Sequence, residues 1–216
     1  MTAQVEYIQG LLVATYSVSI ASDSSPLQDF CVAYSDGPVL VNGQACKGPK
    51  LAQANDFFFS GFHSPRDRSN SIGSKVTPVS VAKVSGLNTL GISMARIDYA
   101  SSGINPPHTY PRATEILAVI EGHLEVGFVT SNPENKLFTK VLKEEDVFYF
   151  PEGLVYFQRN NGDSNAVAIA AFSSQNPSVI TVGNALFGSN PAIHNDLFAK
   201  SFQVDNKTID LIRAKF

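Results

Sequence analysis

Residues 106–122 read PPHTYPRATEILAVIEG, and their second half alternates as a strand does. Successive side chains of a strand point to opposite faces, so Glu115, Leu117 and Val119 share one side and Ile116, Ala118 and Ile120 the other. Both sides are apolar, the pattern of a barrel strand that also packs against a partner. Glu115 is the exception, because a carboxylate on an inner face is costly unless something pairs with it. His108 and Tyr110 lie two positions apart, share a face, and precede Glu115 by a short turn. A metal ion held by His108 and Glu115 would pair the carboxylate. Hydrogen bonds from His108, or from the hydroxyl of Tyr110, would do so without one.

Outward from this segment the pattern is strand after strand. Residues 75–84 alternate and are rich in valine, and residues 89–100 form a second candidate strand. Gly103 to Pro107 reads as a tight turn. Further strands are expected over residues 115–120, 124–129, 137–142, 147–150, 155–159 and 166–172, separated by turn formers such as Glu121-Gly122 and Asn161-Gly162-Asp163. Short strands at such regular spacing indicate an all-β sandwich or closed barrel. Residues 191–202 and 207–215 space their apolar residues as helices do, so two or three short helices close the domain. Upstream, residues 57–62 (FFFSGF) read as an apolar anchor and residues 63–75 as a polar loop.

The chain has 216 residues, which suits one compact domain and a short leader. It is 44% hydrophobic and 16% charged with a net charge of −3, and has no basic patch, so nucleic acid is not an expected partner. No apolar run has the length of a membrane-spanning helix. Leu11 to Ala21 is a moderately apolar stretch ending in Ser19-Ile20-Ala21, small residues where a signal peptidase cuts. The usual positive start is missing, since no Lys or Arg precedes Lys47. Residues 1–22 are read as an atypical signal peptide, the alternative being an N-terminal strand or arm. Residues 23–58 form an N-terminal arm, and residues 59–212 the barrel with its helices. Cys31 and Cys46 are the only cysteines, with turn formers between them. A disulfide closing that loop would add about 3 kcal/mol; two buried thiols are the alternative. Asn206-Lys207-Thr208 is a glycosylation sequon. His63, His123 and His194 fall in loops or at a helix start and are read as surface residues. No nucleophile elbow, phosphate loop or dinucleotide fingerprint is present.

The segment around His108 resembles the first sequence box of the germin and germin-like proteins, a plant family of the cupin superfamily. That box runs His-x-His, four residues, Glu, six residues, Gly, and here reads His108, Tyr110, Glu115, Gly122. The second box runs Gly, five residues, Pro-x-Gly, two residues, His, three residues, Asn, and here reads Glu145, Pro151-Glu152-Gly153, Tyr156, Asn160. The cysteine pair, residues 26–31 (PLQDFC), 86–91 (GLNTLG) and 174–177 (SQNP) fit as well. The resemblance therefore extends from about residue 22 to the C-terminus. It implies a single jelly-roll-like cupin β-barrel with short C-terminal helices and a Cys31–Cys46 disulfide. It also implies secretion to the apoplast or cell wall, a role in defence or development, and a homo-oligomer of six chains arranged as a trimer of dimers. In the family, three histidines and one glutamate hold manganese, and some members are oxalate oxidases or superoxide dismutases.

Two of those histidine positions are Tyr110 and Tyr156 here, leaving His108 and Glu115. A phenol must lose a proton before it binds a metal as phenolate, which at neutral pH costs roughly 4 kcal/mol each, or about 8 for two. Mn²⁺ is the weakest binder of its series and is poorly placed to repay that. Three functions follow as expectations. One is a secreted germin-like protein without oxalate oxidase or superoxide dismutase activity. Another is a metal-independent enzyme for isomerisation or cyclisation of a small metabolite, with Glu115 as base, His108 as its partner, and Tyr110 and Tyr156 as hydrogen-bond donors. The third is a non-catalytic binding or wall-structural protein.

Overall fold

The structure is a computed structural model that describes residues 28–34, 39–40 and 43–216. Two compact units divide the chain, Met1–Phe30 and Cys31–Phe216. The proposed leader, including Leu11–Ala21, and the turn Asp36-Gly37-Pro38 lie outside the described residues.

In the second unit, the short strands β1 (Val39–Leu40) and β2 (Gly43–Gln44) pair antiparallel. They lie within the loop closed by the Cys31–Cys46 disulfide, whose Cα atoms are 5.0 Å apart. The chain thus folds back between its cysteines as the turn formers there suggest. Asn88, fully buried, donates from Nδ2 to Cys31 Sγ (3.1 Å) and to the Gln44 carbonyl (2.9 Å), fastening this hairpin.

Ten strands follow: β3 (Ser74–Val79), β4 (Ser93–Tyr99), β5 (Ile104–Thr109), β6 (Glu115–Glu121), β7 (Leu124–Val129), β8 (Leu137–Leu142), β9 (Val147–Phe150), β10 (Val155–Arg159), β11 (Ala166–Phe172) and β12 (Ile180–Thr181). They form two five-stranded sheets, ordered β12-β5-β10-β7-β8 and β3-β4-β11-β6-β9, paired antiparallel. From β4 to β7 the chain changes sheet at each connection, so neighbours in sequence face each other across the core. Tyr99, Leu117, Val119, Leu124, Val126, Phe150, Ala168 and Ala170 fill the space between. The alternation read in residues 115–120 is realised: Glu115, Leu117 and Val119 are buried, while Ile116 and Ile120 are exposed. Helices α1 (Val182–Phe187), α2 (Asn195–Phe202) and α3 (Asn206–Arg213) close the chain. The architecture is the expected all-β cupin barrel with short C-terminal helices.

Four local expectations are corrected. The strand expected over residues 75–84 ends at Val79, because the Lys83 and Val84 amides both return to the Ser80 carbonyl. The strand expected over 89–100 begins only at Ser93, since Thr89 and Gly91 have φ of +67° and +68°, which breaks the extended path. Gly103 to Pro107 is not one turn: the turn closes at Gly103, whose amide meets the Ala100 carbonyl, and Pro106 and Pro107 lie inside β5. They are tolerated because the register with β10 slips between His108 and Asn105, while β12 pairs only with His108 and Thr109. Finally, FFFSGF is only partly an anchor. Phe59 and Phe62 are half-buried and in edge-to-face contact, but Phe58 is 64% exposed. The segment is fixed by its backbone: Arg96, paired with buried Asp98 at 2.7 Å, donates from Nη1 to the Phe62 carbonyl (2.6 Å).

Candidate functional site

The two sheets bring the residues of both sequence boxes together inside the barrel. In the first sheet His108 of β5 lies directly opposite Tyr156 of β10. From the facing sheet comes Glu115, the first residue of β6, flanked by Phe150 of β9 and Phe172 of β11. Tyr110 follows the end of β5; its carbonyl accepts the amide of Gly153, which has φ of +77° and so turns the Pro151-Glu152-Gly153 segment toward it. His108, Glu115 and Tyr156 are each at most 2% exposed and Tyr110 8%.

The geometry is that of a hydrogen-bonded aromatic box. The Tyr156 hydroxyl donates to Glu115 Oε2 at 2.5 Å, and Gln158 Nε2 to Glu115 Oε1 at 3.4 Å. The rings of His108 and Tyr156 have centroids 4.3 Å apart, and Phe150 stacks on the other side of Tyr156 at 4.2 Å. Tyr110 meets His108 edge-on at 5.7 Å and lies against Phe172 at 4.7 Å. His108 Nδ1 is 2.7 Å from the Pro106 carbonyl, which can only accept, so Nδ1 carries the proton and Nε2 the lone pair. Among the described residues, His108 Nε2, Gln158 Oε1 and Tyr99 Oη are buried without a hydrogen-bond partner.

Burial dominates the electrostatics. It pushes the Glu115 carboxyl up to about 7, against the Tyr156 hydrogen bond that lowers it. It holds His108 down at about 4, so the imidazole is neutral at pH 7. The Tyr110 and Tyr156 phenols are driven above their ordinary value of 10.0, by burial first and then by the charge of Glu115. Both phenols are therefore protonated donors, not phenolates.

This donor set does not fit manganese. His108 Nε2 is a free lone pair, as a ligand must be, but Glu115 is occupied by Tyr156 and Gln158 and the remaining positions are phenols that resist ionisation. Among the described residues no three His, Cys, Asp or Glu converge as a ligand group. The phenolate cost argued from composition is thus raised further by burial. What the arrangement can do is hold a proton between a phenol and a carboxyl, and offer a phenol donor and an imidazole acceptor within one buried site.

The other histidines stay apart: His63, His123 and His194 are exposed, and His194 precedes α2 as its N-cap. Asn206 is exposed at the start of α3, where Asp205 caps the helix through the Thr208 amide (2.8 Å). Two participants, Gln158 and Tyr99, were not anticipated. Gln158 stands two positions after Tyr156 and so shares its face; that parity was the available signal. Tyr99 has the same parity as buried Ala95 and Ile97 in β4.

Comparison with known proteins places the fold. Residues 60–210 match the cupin family. Germin-like protein 8-2 of Oryza sativa subsp. japonica is 62% identical over 92% of this chain and 90% of its own. Germin-like protein subfamily 1 member 10 of Arabidopsis thaliana is 58% identical over 95% of this chain and 93% of its own. Among solved structures, a recombinant oxalate oxidase in complex with glycolate is similar with a TM-score of 0.86 and 43% identity, covering 90% of this chain and 98% of that one. With the barrel, the disulfide and near full-length similarity in agreement, the chain belongs to the germin-like proteins of the cupin family.

Proposed function

We propose that this is a secreted germin-like protein of the plant apoplast or cell wall, acting in defence or development without manganese, and so without oxalate oxidase or superoxide dismutase activity. The observation that carries the reading is the 2.5 Å hydrogen bond from Tyr156 to Glu115, which commits the one buried carboxylate of the box to a phenol. The disulfide suits an oxidising compartment. Among the described residues no helix is long and apolar enough to cross a membrane. Asn206, exposed on α3, is the glycan acceptor of this reading. The chains assemble as a hexamer, a trimer of dimers, through apolar strand faces such as Ile116, Ile120 and Tyr149, the last 63% exposed in the single chain. The test is activity of the purified protein: no peroxide release from oxalate and no superoxide dismutation are expected. Tyr110→His with Tyr156→His should gain at least one of these when manganese is supplied. Robust activity of the unaltered protein with manganese would overturn the reading.

A second reading is metal-independent acid–base chemistry, isomerisation or cyclisation, in the same box. It is favoured by Glu115 being held near 7 beside the neutral His108 imidazole. Glu115→Gln should then abolish turnover of any substrate found, whereas a pure binder would tolerate it.

A further inference from the structure

A cavity of about 350 Å³ lies against the box on the side of Tyr110. Its walls come from β3, β4, the end of β11 and the connection to β12, and include Val76, Pro78, Ala95, Phe172 and Val179. The volume falls in the lower part of the range for small-molecule sites, roughly 300–1,000 Å³. Among the described residues no Lys, Arg, His, Asp or Glu lines it. An anion entering would lose its hydration with no counter-charge in the wall, a costly transfer. The polar lining consists of serines, Asn176 and Tyr110. Ser93 is already committed, donating to the Ser174 carbonyl at 2.6 Å. The Tyr110 side chain makes only ring contacts to described residues, with Phe172, His108 and Tyr156, which leaves its hydroxyl available. Tyr110 and Phe172, 4.7 Å apart, together give the cavity an aromatic floor.

We propose that this cavity binds a small, uncharged, ring-bearing molecule with one hydrogen-bonding group, seated on Tyr110 and Phe172 and bonded by the Tyr110 hydroxyl. The proposal deepens the reading of a barrel that works without manganese and rests on it. It names the ligand class: a neutral ring compound in place of a small acid anion.

The test is calorimetric titration of the full chain near pH 6 with 2-naphthol, and with 2-naphthoate, which has the same rings and a carboxylate. 2-Naphthol is expected to bind saturably with Kd on the order of 10–100 μM, and 2-naphthoate at least about tenfold more weakly. Tyr110→Phe should weaken 2-naphthol binding by about fivefold, one neutral hydrogen bond. Val179→Trp, at an exposed rim position, should block it, with folding verified by circular dichroism. Phe138→Ser, in the larger apolar groove between β8 and β9, should leave it unchanged. Absence of saturation by 2-naphthol overturns the proposal. So does equal or tighter binding of 2-naphthoate, indifference to either Tyr110→Phe or Val179→Trp, or loss of binding in Phe138→Ser. Manganese content of the same preparations tests the underlying reading separately, so the two can fail independently.

Discussion

Glu115 and His108 carry opposite protonation preferences, and each leaves a mark on stability. Folded Glu115 keeps its proton up to about pH 7, whereas the unfolded carboxyl loses it near 4.5, so this residue weakens folding as pH rises between those values. Folded His108 stays neutral down to about 4, whereas the unfolded imidazole gains a proton below 6.5, so it weakens folding as pH falls. Between 4.5 and 6.5 the two slopes cancel, and these two residues leave stability nearly flat there. Glu115→Gln removes one slope. Its stability relative to the unaltered protein should rise by about 3 kcal/mol from pH 4.5 to pH 7, measured by urea unfolding. Tyr156→Phe removes the donor that lowers the Glu115 pKa and leaves the carboxyl less satisfied. It should cost about 1–3 kcal/mol at pH 7. That His108, Tyr110, Glu115 and Tyr156 form one constellation was legible only through the resemblance to the two germin boxes. Gln158 and Tyr99 carry only a strand parity, with Tyr156 and with Ala95 and Ile97; parity names a face, and which residues that face meets follows only from the register of the strands.

At the level of elements, β6 to β11 were legible within about a residue because short apolar runs stood between clear turn formers. β5 was not. A Pro-Pro pair reads locally as a turn, and only the slipped register opposite β10 makes room for it in a strand. β4 began late because two left-handed residues interrupt an apolar run whose composition gives no warning. Gly103 makes the tightest approach to its neighbours among the described glycines. A Cβ on Gly103 would sit 2.2 Å from the Gly73 carbonyl oxygen, where backbone meets backbone at the barrel end. Gly103→Ala should therefore destabilise by about 1–3 kcal/mol, seen as a lowered Tm. Replacing Cys31 and Cys46 together by serine should cost about 3 kcal/mol by freeing the intervening loop of the unfolded chain.

At the level of the whole molecule, the barrel is that of the germin-like proteins, and its interior holds a phenol–carboxyl hydrogen bond between Tyr156 and Glu115. The core is filled by side chains from both sheets, with Phe150, Tyr156 and Leu117 buried among them. The outer sheet face leaves Ile116, Ile120 and Tyr149 exposed, and in the proposed hexamer it is the contact face. Light scattering should give a hexamer, and Ile120→Glu should shift it toward smaller species. Elemental analysis of the purified protein, after exposure to excess manganese and removal of free ions, reads the site directly. Manganese far below one per chain is predicted, rising toward one in the Tyr110→His, Tyr156→His variant; one tightly bound manganese per unaltered chain would show that the two phenols do not keep the metal out.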